Sequence, residues 1–272
     1  MTAPDTAFAP PRWLGNAHVQ TLLAVMPPRL WGQRGARSEA HLITLPGTQD
    51  RLYGAGLWRS EPGPAVILVH GVGGASDSPY LVRCAWTLVR AGFHVVSLNL
   101  RGCGPGAPLA GSLYHAGMAG DIAAAVQHVA GLPAVTAVGL MGMSLGGQMA
   151  LLTAANWHEA PPPALRAVAA ISAPFDLAPA CRHLDEGRPV YRDAILKGLV
   201  TNARRLGRRA PERLPVPESA LRRIRRLYDF DDQIIAPMHG FASAADYYAR
   251  VSCGPQLARI RVPTLVVHAE DD

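Results

Sequence analysis

The sequence predicts an α/β fold: a mostly parallel central sheet, helices on both faces and a helical cap insertion late in the chain. Three observations carry this. Continuous apolar runs such as Pro64 to His70 and His94 to Leu100 read as strands buried on both faces, the mark of a parallel sheet. Between the runs lie stretches of helical period, so strand and helix alternate from about residue 64 to 172. From Ala173 to Ile260 the alternation stops, and one more apolar run, Val262 to His268, follows.

The elements follow in order. Residues 1–36 are proline-rich and read as an irregular arm. His41 to Leu45 and Leu52 to Trp58 are strands joined by the turn Pro46-Gly47-Thr48-Gln49-Asp50. Ser78 to Ala91 is a helix, with Leu81, Val82, Ala85, Leu88 and Val89 at helical spacing and Gly92 closing it. Met118 to Ala130 is a second helix, its apolar side formed by Ile122, Ala125, Val126 and Val129. Val135 to Met141 and Arg166 to Ser172 are strands, with a helix from Gln148 to Trp157 between them. Tyr191 to Leu206 and Glu218 to Leu227 carry helical patterns, separated by Pro211, Pro215 and Pro217. The expected organisation is an arm over 1–36, an α/β core over 37–172, a cap insertion over 173–260, and a core strand with its acid loop over 261–272.

The stretch that carries chemistry is Gly142-Met143-Ser144-Leu145-Gly146, set between a strand and a helix. A Gly-x-Ser-x-Gly in that setting is a nucleophile elbow. The turn holds the serine in strained backbone, and glycine at 142 and 146 lets strand and helix pass without a Cβ clash. A structural glycine turn is the plainer alternative. Acyl transfer by Ser144 also needs oxyanion donors, a base and a group to orient the base. The first donor expected is the N–H of Leu145. The second comes from His70-Gly71-Val72-Gly73-Gly74, with Val72 favoured and Gly73 the alternative. His70 itself reads as a brace for that loop rather than as the base.

The orienting acid is expected after a later strand. Asp272 is the choice and Asp271 the close alternative. Asp176 follows the preceding strand, where it reads as the N-cap of a cap helix. No histidine follows Asp272. His115 and His239, both in loops, are the only substitutes worth testing. The simpler expectation is a chain that lacks its final strand and helix, roughly 30 residues with the base on their connecting loop.

Composition bounds the partners. The formal net charge is +6, yet nine arginines and two glutamates between Arg204 and Arg226 supply +7 of it. The remainder is near neutral, and aromatic residues do not interleave with the arginines, which argues against nucleic acid. Arg222, Arg223, Arg225 and Arg226 surround Leu221, Ile224 and Leu227, reading as one helix with a solvated arginine face. Peripheral contact of that face with an anionic membrane is the sharper alternative. Cys84, Cys103, Cys181 and Cys253 have no metal-like spacing and read as reduced thiols in a cytoplasmic protein. No signal peptide and no membrane span is expected, and the chemistry calls for no metal or organic cofactor. The oligomeric state is not legible.

Several stretches together resemble the YheT-like branch of the α/β-hydrolase superfamily. They are Trp13-Leu-Gly-Asn-Ala-His18-Val-Gln20-Thr21, His70-Gly-Val-Gly-Gly74, Asn99-Leu-Arg101-Gly102-Cys103, Gly142-Met-Ser-Leu-Gly-Gly147, Ser172-Ala-Pro-Phe-Asp176, Tyr228-Asp-Phe-Asp-Asp232, Gly240-Phe241, Tyr247-Tyr248 and Ala269-Glu-Asp-Asp272. The resemblance implies a Ser–Asp–His triad, with Ser144 and, by position, Asp272. It implies a serine esterase acting on short- or medium-chain acyl esters or glycerolipids. The family's histidine has no counterpart in these 272 residues. The alternative is therefore a catalytically incomplete α/β-hydrolase-fold protein that binds a ligand.

Overall fold

The computed structural model describes residues 11, 15–24, 26, 36–158 and 160–269. Asp271 and Asp272, the two candidate acids, lie outside the described residues. The strands are β1 (Arg37–Thr44), β2 (Arg51–Trp58), β3 (Gly63–Val69), β4 (His94–Asn99), β5 (Val135–Met143), β6 (Leu165–Ile171) and β7 (Thr264–Val267). They form one sheet in the order β1-β2-β4-β3-β5-β6-β7. The hairpin β1–β2 is antiparallel, with Thr44 opposite Arg51, and β2 joins β4 antiparallel. From β4 to β7 every pairing is parallel. Among the described residues no helix is long and apolar enough to cross a membrane.

The helices are α1 (Ala17–Ala24), α2 (Pro79–Arg90), α3 (Ala119–Ala130) and α4 (Leu145–Trp157), then α5 (Leu177–Glu186), α6 (Pro189–Arg209), α7 (Glu218–Leu221), α8 (Leu227–Phe230), α9 (Ala236–Met238) and α10 (Ala244–Val251). The central strands bury both faces because their side chains alternate. Val66 and Leu68 of β3 and Val95 of β4 pack on Leu81, Ala85 and Val89 of α2. Their neighbours Ile67, Val69, Val96 and Leu98 enter the larger core with Ile122 of α3 and Met149 of α4. Each such side chain contributes about 1.5–3 kcal/mol on burial. The open ends of the strands beyond Val69 and Met143 are where the loops of interest gather.

Four boundaries differ from expectation. β1 starts at Arg37, because its pairing with β2 extends to Trp58. Within the arm expected to be irregular, Ala17–Ala24 is helical, and Arg83 of α2 donates to the carbonyls of Leu23 and Ala24 at its end. β5 runs on to Met143 and α4 begins at Leu145, so nothing but Ser144 separates them. Gly146 and Gly147 weaken the helical pattern there and hide the helix start.

The fourth is a correction: the segment Glu218–Leu227 is not one helix. It is a single turn, α7, then an extended turn carrying the arginines, then α8. Leu221, Ile224, Leu227 and Phe230 are all buried at a spacing of three, while Arg222, Arg223, Arg225 and Arg226 are exposed. Two causes favour the break. Arginines at i, i+3 and i+4 repel along a helix. The buried Asp185 carboxylate of α5 accepts the N–H groups of Leu227 at 2.7 Å and Tyr228 at 3.1 Å, which starts a new helix there.

Candidate active site

Ser144 sits at the hinge between β5 and α4 with φ 52° and ψ −123°, a left-handed conformation for a residue that has a Cβ. Its own N–H donates to Ile171 O of β6 at 2.8 Å, and its carbonyl accepts from Gly147 and Gln148 at 2.8 and 3.1 Å. Those bonds lock the strained backbone. The flanking glycines are sterically required: a Cβ on Gly142 would overlap the carbonyl of Gly146, and one on Gly146 would overlap that of Val69. The hydroxyl is left over. It does not cap α4 and has no hydrogen-bond partner among the described residues.

The loop after β3 lies against this turn; a Cβ on Gly71 would come 3.1 Å from that of Ser144. Its amides divide sharply. Gly71 donates to Tyr80 Oη at 2.9 Å, Gly73 to Tyr114 Oη at 2.8 Å and Gly74 to Gly71 O at 3.1 Å. The N–H of Val72 has no partner among the described residues. That of Leu145 has none either, since the first amides of a helix find no acceptor within it. Asn99, at the end of β4, holds the loop from behind by accepting the Ser76 N–H at 3.0 Å and donating to Ser76 Oγ at 2.9 Å.

Val72, Ser144 and Leu145 line one cavity of about 660 Å³, its mouth included. The opposite wall comes from the segment between β6 and β7: Leu177, Ala180, Cys181 and Leu184 of α5, Leu199 of α6, and Leu227, Asp231 and Ile235 with Tyr247 and Tyr248. Asp176 starts α5 as an N-cap, its Oδ1 accepting the Ala178 N–H at 3.0 Å. Gln148 of α4 ties the walls together by donating to Val251 O at 2.6 Å. The lining is overwhelmingly apolar. Among the described residues no cluster of three or more His, Cys, Asp or Glu is placed to hold a metal ion.

Of the three histidines near the site, His70 and His115 have their ring lone pair engaged. His70 is fully buried; its Nε2 accepts the Leu100 N–H at 3.2 Å, so Nδ1 carries the proton and donates to Gly71 O at 2.8 Å. Burial drives its pKa down to about 4 against the opposing pull of Gly71 O and Asp77. It is the expected brace, held neutral. His115 lines the cavity, but its Nδ1 accepts the Gly117 N–H at 3.0 Å, which leaves the proton on Nε2. Burial, with His239 and Arg101 nearby, lowers its pKa to about 3. His239 donates Nε2–H to Leu113 O at 2.9 Å and packs at a tilt against His115, with ring centroids 4.6 Å apart. No hydrogen bond joins any of the three to Ser144.

Sequence reasoning missed three groups. Tyr80 and Tyr114 select which loop amides stay free, yet a lone tyrosine carries no sequence signal for that. Asp231 lies in the stretch Tyr228–Asp232 that the resemblance singled out without giving it a task. It lines the cavity beside Tyr248, whose hydroxyl donates to its Oδ2 at 2.6 Å.

The family described as alpha/beta hydrolase fold matches residues 64–272. The chain is 32% identical to the "Putative esterase YheT" of Escherichia coli (strain K12), over 97% of this chain and 77% of that one. It is 27% identical to a monoacylglycerol lipase of Saccharomyces cerevisiae, over 77% of this chain but 48% of the relative, so it spans about half of that protein's length. In fold it is similar to the α/β hydrolase GrgF from a Penicillium species, with a TM-score of 0.52 and 18% identity, covering 86% of this chain and 80% of that one. Family match, sheet order and the relation to YheT agree, and the chain belongs to the α/β-hydrolase fold family.

Proposed function

We propose that the protein is a serine hydrolase that cleaves carboxylic esters through an acyl-enzyme on Ser144. One observation carries this reading: a serine hydroxyl and two amides, those of Val72 and Leu145, that have no partner among the described residues line one apolar cavity. Unsatisfied donors in a fold that satisfies their neighbours mark a place prepared for an oxyanion. Gly73, the alternative donor, is less suited because its N–H is already given to Tyr114.

In this reading residues 173–260 form a cap over the core. Ser144 Oγ attacks the ester carbonyl carbon while a histidine takes its proton. The carbonyl oxygen becomes an oxyanion held by the amides of Leu145 and Val72. Collapse expels the alcohol, which the histidine protonates, and water then releases the acid by the same two steps. Asp272, or Asp271 beside it, orients the histidine. His70 and His115 are not that base, since neither has an imidazole lone pair left for Ser144. The apolar walls suit an acyl chain, in keeping with the names borne by the esterase and lipase relatives. The relatives' activities reach this chain only as part of this proposal.

A second reading, a ligand-binding protein without turnover, is favoured by the lack of a histidine hydrogen-bonded to Ser144 among the described residues. Fluorophosphonate labelling separates the two. Labelling of the folded protein that Ser144→Ala abolishes supports the hydrolase. Ester turnover that persists in Ser144→Ala contradicts it.

A further inference from the structure

Asp231 is a carboxyl that hydrolysis at Ser144 leaves without a task. It opens a π-helical stretch, Asp231–Ile235, set between α8 and α9, and the wider turn of a π segment re-aims the residues on it. The residue is half-buried and lines the Ser144 cavity from the far wall. Oδ2 accepts from Tyr248 at 2.6 Å; Oδ1 has no partner among the described residues. No cation pairs with it among the described residues either; Arg226 goes to Asp185 at 3.7 Å. The hydroxyls of Tyr114 and Tyr247 are engaged as acceptors of the Gly73 and Ala116 N–H groups. Burial, with Asp185 adding repulsion, raises the Asp231 pKa to about 7 against the Tyr248 hydrogen bond. A carboxyl with one free oxygen in an apolar cavity is costly unless something arrives to meet it.

We propose that Asp231 reads a hydroxyl on the substrate, so that the cavity selects esters carrying a free hydroxyl over esters with none. This rests on the reading of Ser144 as the ester-cleaving residue. A hydroxyl fits because it both donates and accepts, and so matches the carboxyl in either protonation state. A hydrocarbon chain would leave Oδ1 dry and unpaired. An ammonium would have to shed its water in a cavity where no second carboxylate faces it; Asp185 is turned to the start of α8. The hydroxyl has two possible sources, the acyl chain or the alcohol.

The test is binding to the Ser144→Ala protein, where nothing turns over. The ligands are ethyl octanoate, its ω-hydroxyoctanoate counterpart and monooctanoylglycerol. At least one hydroxylated ligand is expected to bind about three- to tenfold tighter than ethyl octanoate, and which one it is assigns the source. In Asp231→Leu the preference collapses to parity while ethyl octanoate binds no worse; Asp231→Asn keeps part of it. Tyr248→Phe, which removes the hydroxyl that contacts Asp231 Oδ2 and Cys181 Sγ, retains the preference. Equal affinity for all three ligands, or a preference that survives Asp231→Leu, overturns the proposal. Should Asp231→Leu not fold, a crystal structure of Ser144→Ala with the preferred ligand decides instead, and a ligand hydroxyl bonded away from Asp231 overturns it. Fluorophosphonate labelling of the unsubstituted protein reports separately on Ser144. Labelling without a binding preference removes only the role of Asp231; a preference without labelling removes only the hydrolytic reading.

Discussion

The two walls of the cavity are built by opposite means. The wall around Ser144 is made of backbone: a strained serine, glycines that admit no side chain, and amides left free by two tyrosines. The facing wall is made of side chains on the helices between β6 and β7, held by single polar groups such as Asp185 and Asp231. A wall of backbone is rigid and indifferent to what binds, which suits chemistry common to every ester. A wall of side chains changes with each substitution, which suits selection among substrates.

That contrast predicts how each wall breaks. The largest effect is expected from Gly142→Ala. The added methyl meets the Gly146 carbonyl, two backbone elements cannot both yield, and the loss is about 4 kcal/mol or more, read as failure to accumulate folded protein. Asp185→Ala comes next. It orphans two amides at the start of α8 and removes the partner of Arg226, for about 2–4 kcal/mol in urea unfolding. Because α8 leads into the π stretch, the same variant loses substrate selectivity while the Ser144 wall stays reactive.

Smaller effects carry opposite signs with pH. Asp231 has a folded pKa raised to about 7, so its protonated form is the one the fold favours. Its contribution is fully present below the unfolded value and is lost as pH rises through 7. Asp231→Asn therefore stabilises the protein at pH 8 by about 1–3 kcal/mol and has less effect at pH 5. His70 runs the other way. Its folded pKa is lowered to about 4, so the neutral ring stabilises above the unfolded value of 6.5 and that stability is lost as pH falls towards 4. The urea midpoint is expected to drop over that window, by about 1–2 kcal/mol from this group, and His70→Gln flattens the slope.

The same contrast explains what the sequence made legible. Backbone-built features leave local marks. Glycines at 142 and 146, a buried strand before them and a helix after them stand within a few residues of Ser144. The loop from His70 to Gly74 marks itself in the same way, and His70 and Asp176 perform the expected bracing and capping. The facing wall left no such marks. The turn through Arg222 to Arg226 read as helix because buried residues at a spacing of three mimic a helical stripe. What breaks it, Asp185, lies more than 40 residues away. Asp231 gains its meaning from Tyr248, 17 residues on, and from a π turn that no periodicity reports. The choice between Val72 and Gly73 likewise rests on Tyr114, 41 residues from the amide it takes.

The central claim is that Ser144 is a reactive alcohol facing two free amides. Treating the folded protein with a fluorophosphonate and locating the adduct by peptide mass spectrometry tests it most directly. The account predicts a single adduct on Ser144 that vanishes in Ser144→Ala. An adduct on another residue, or no adduct on the folded protein, contradicts it.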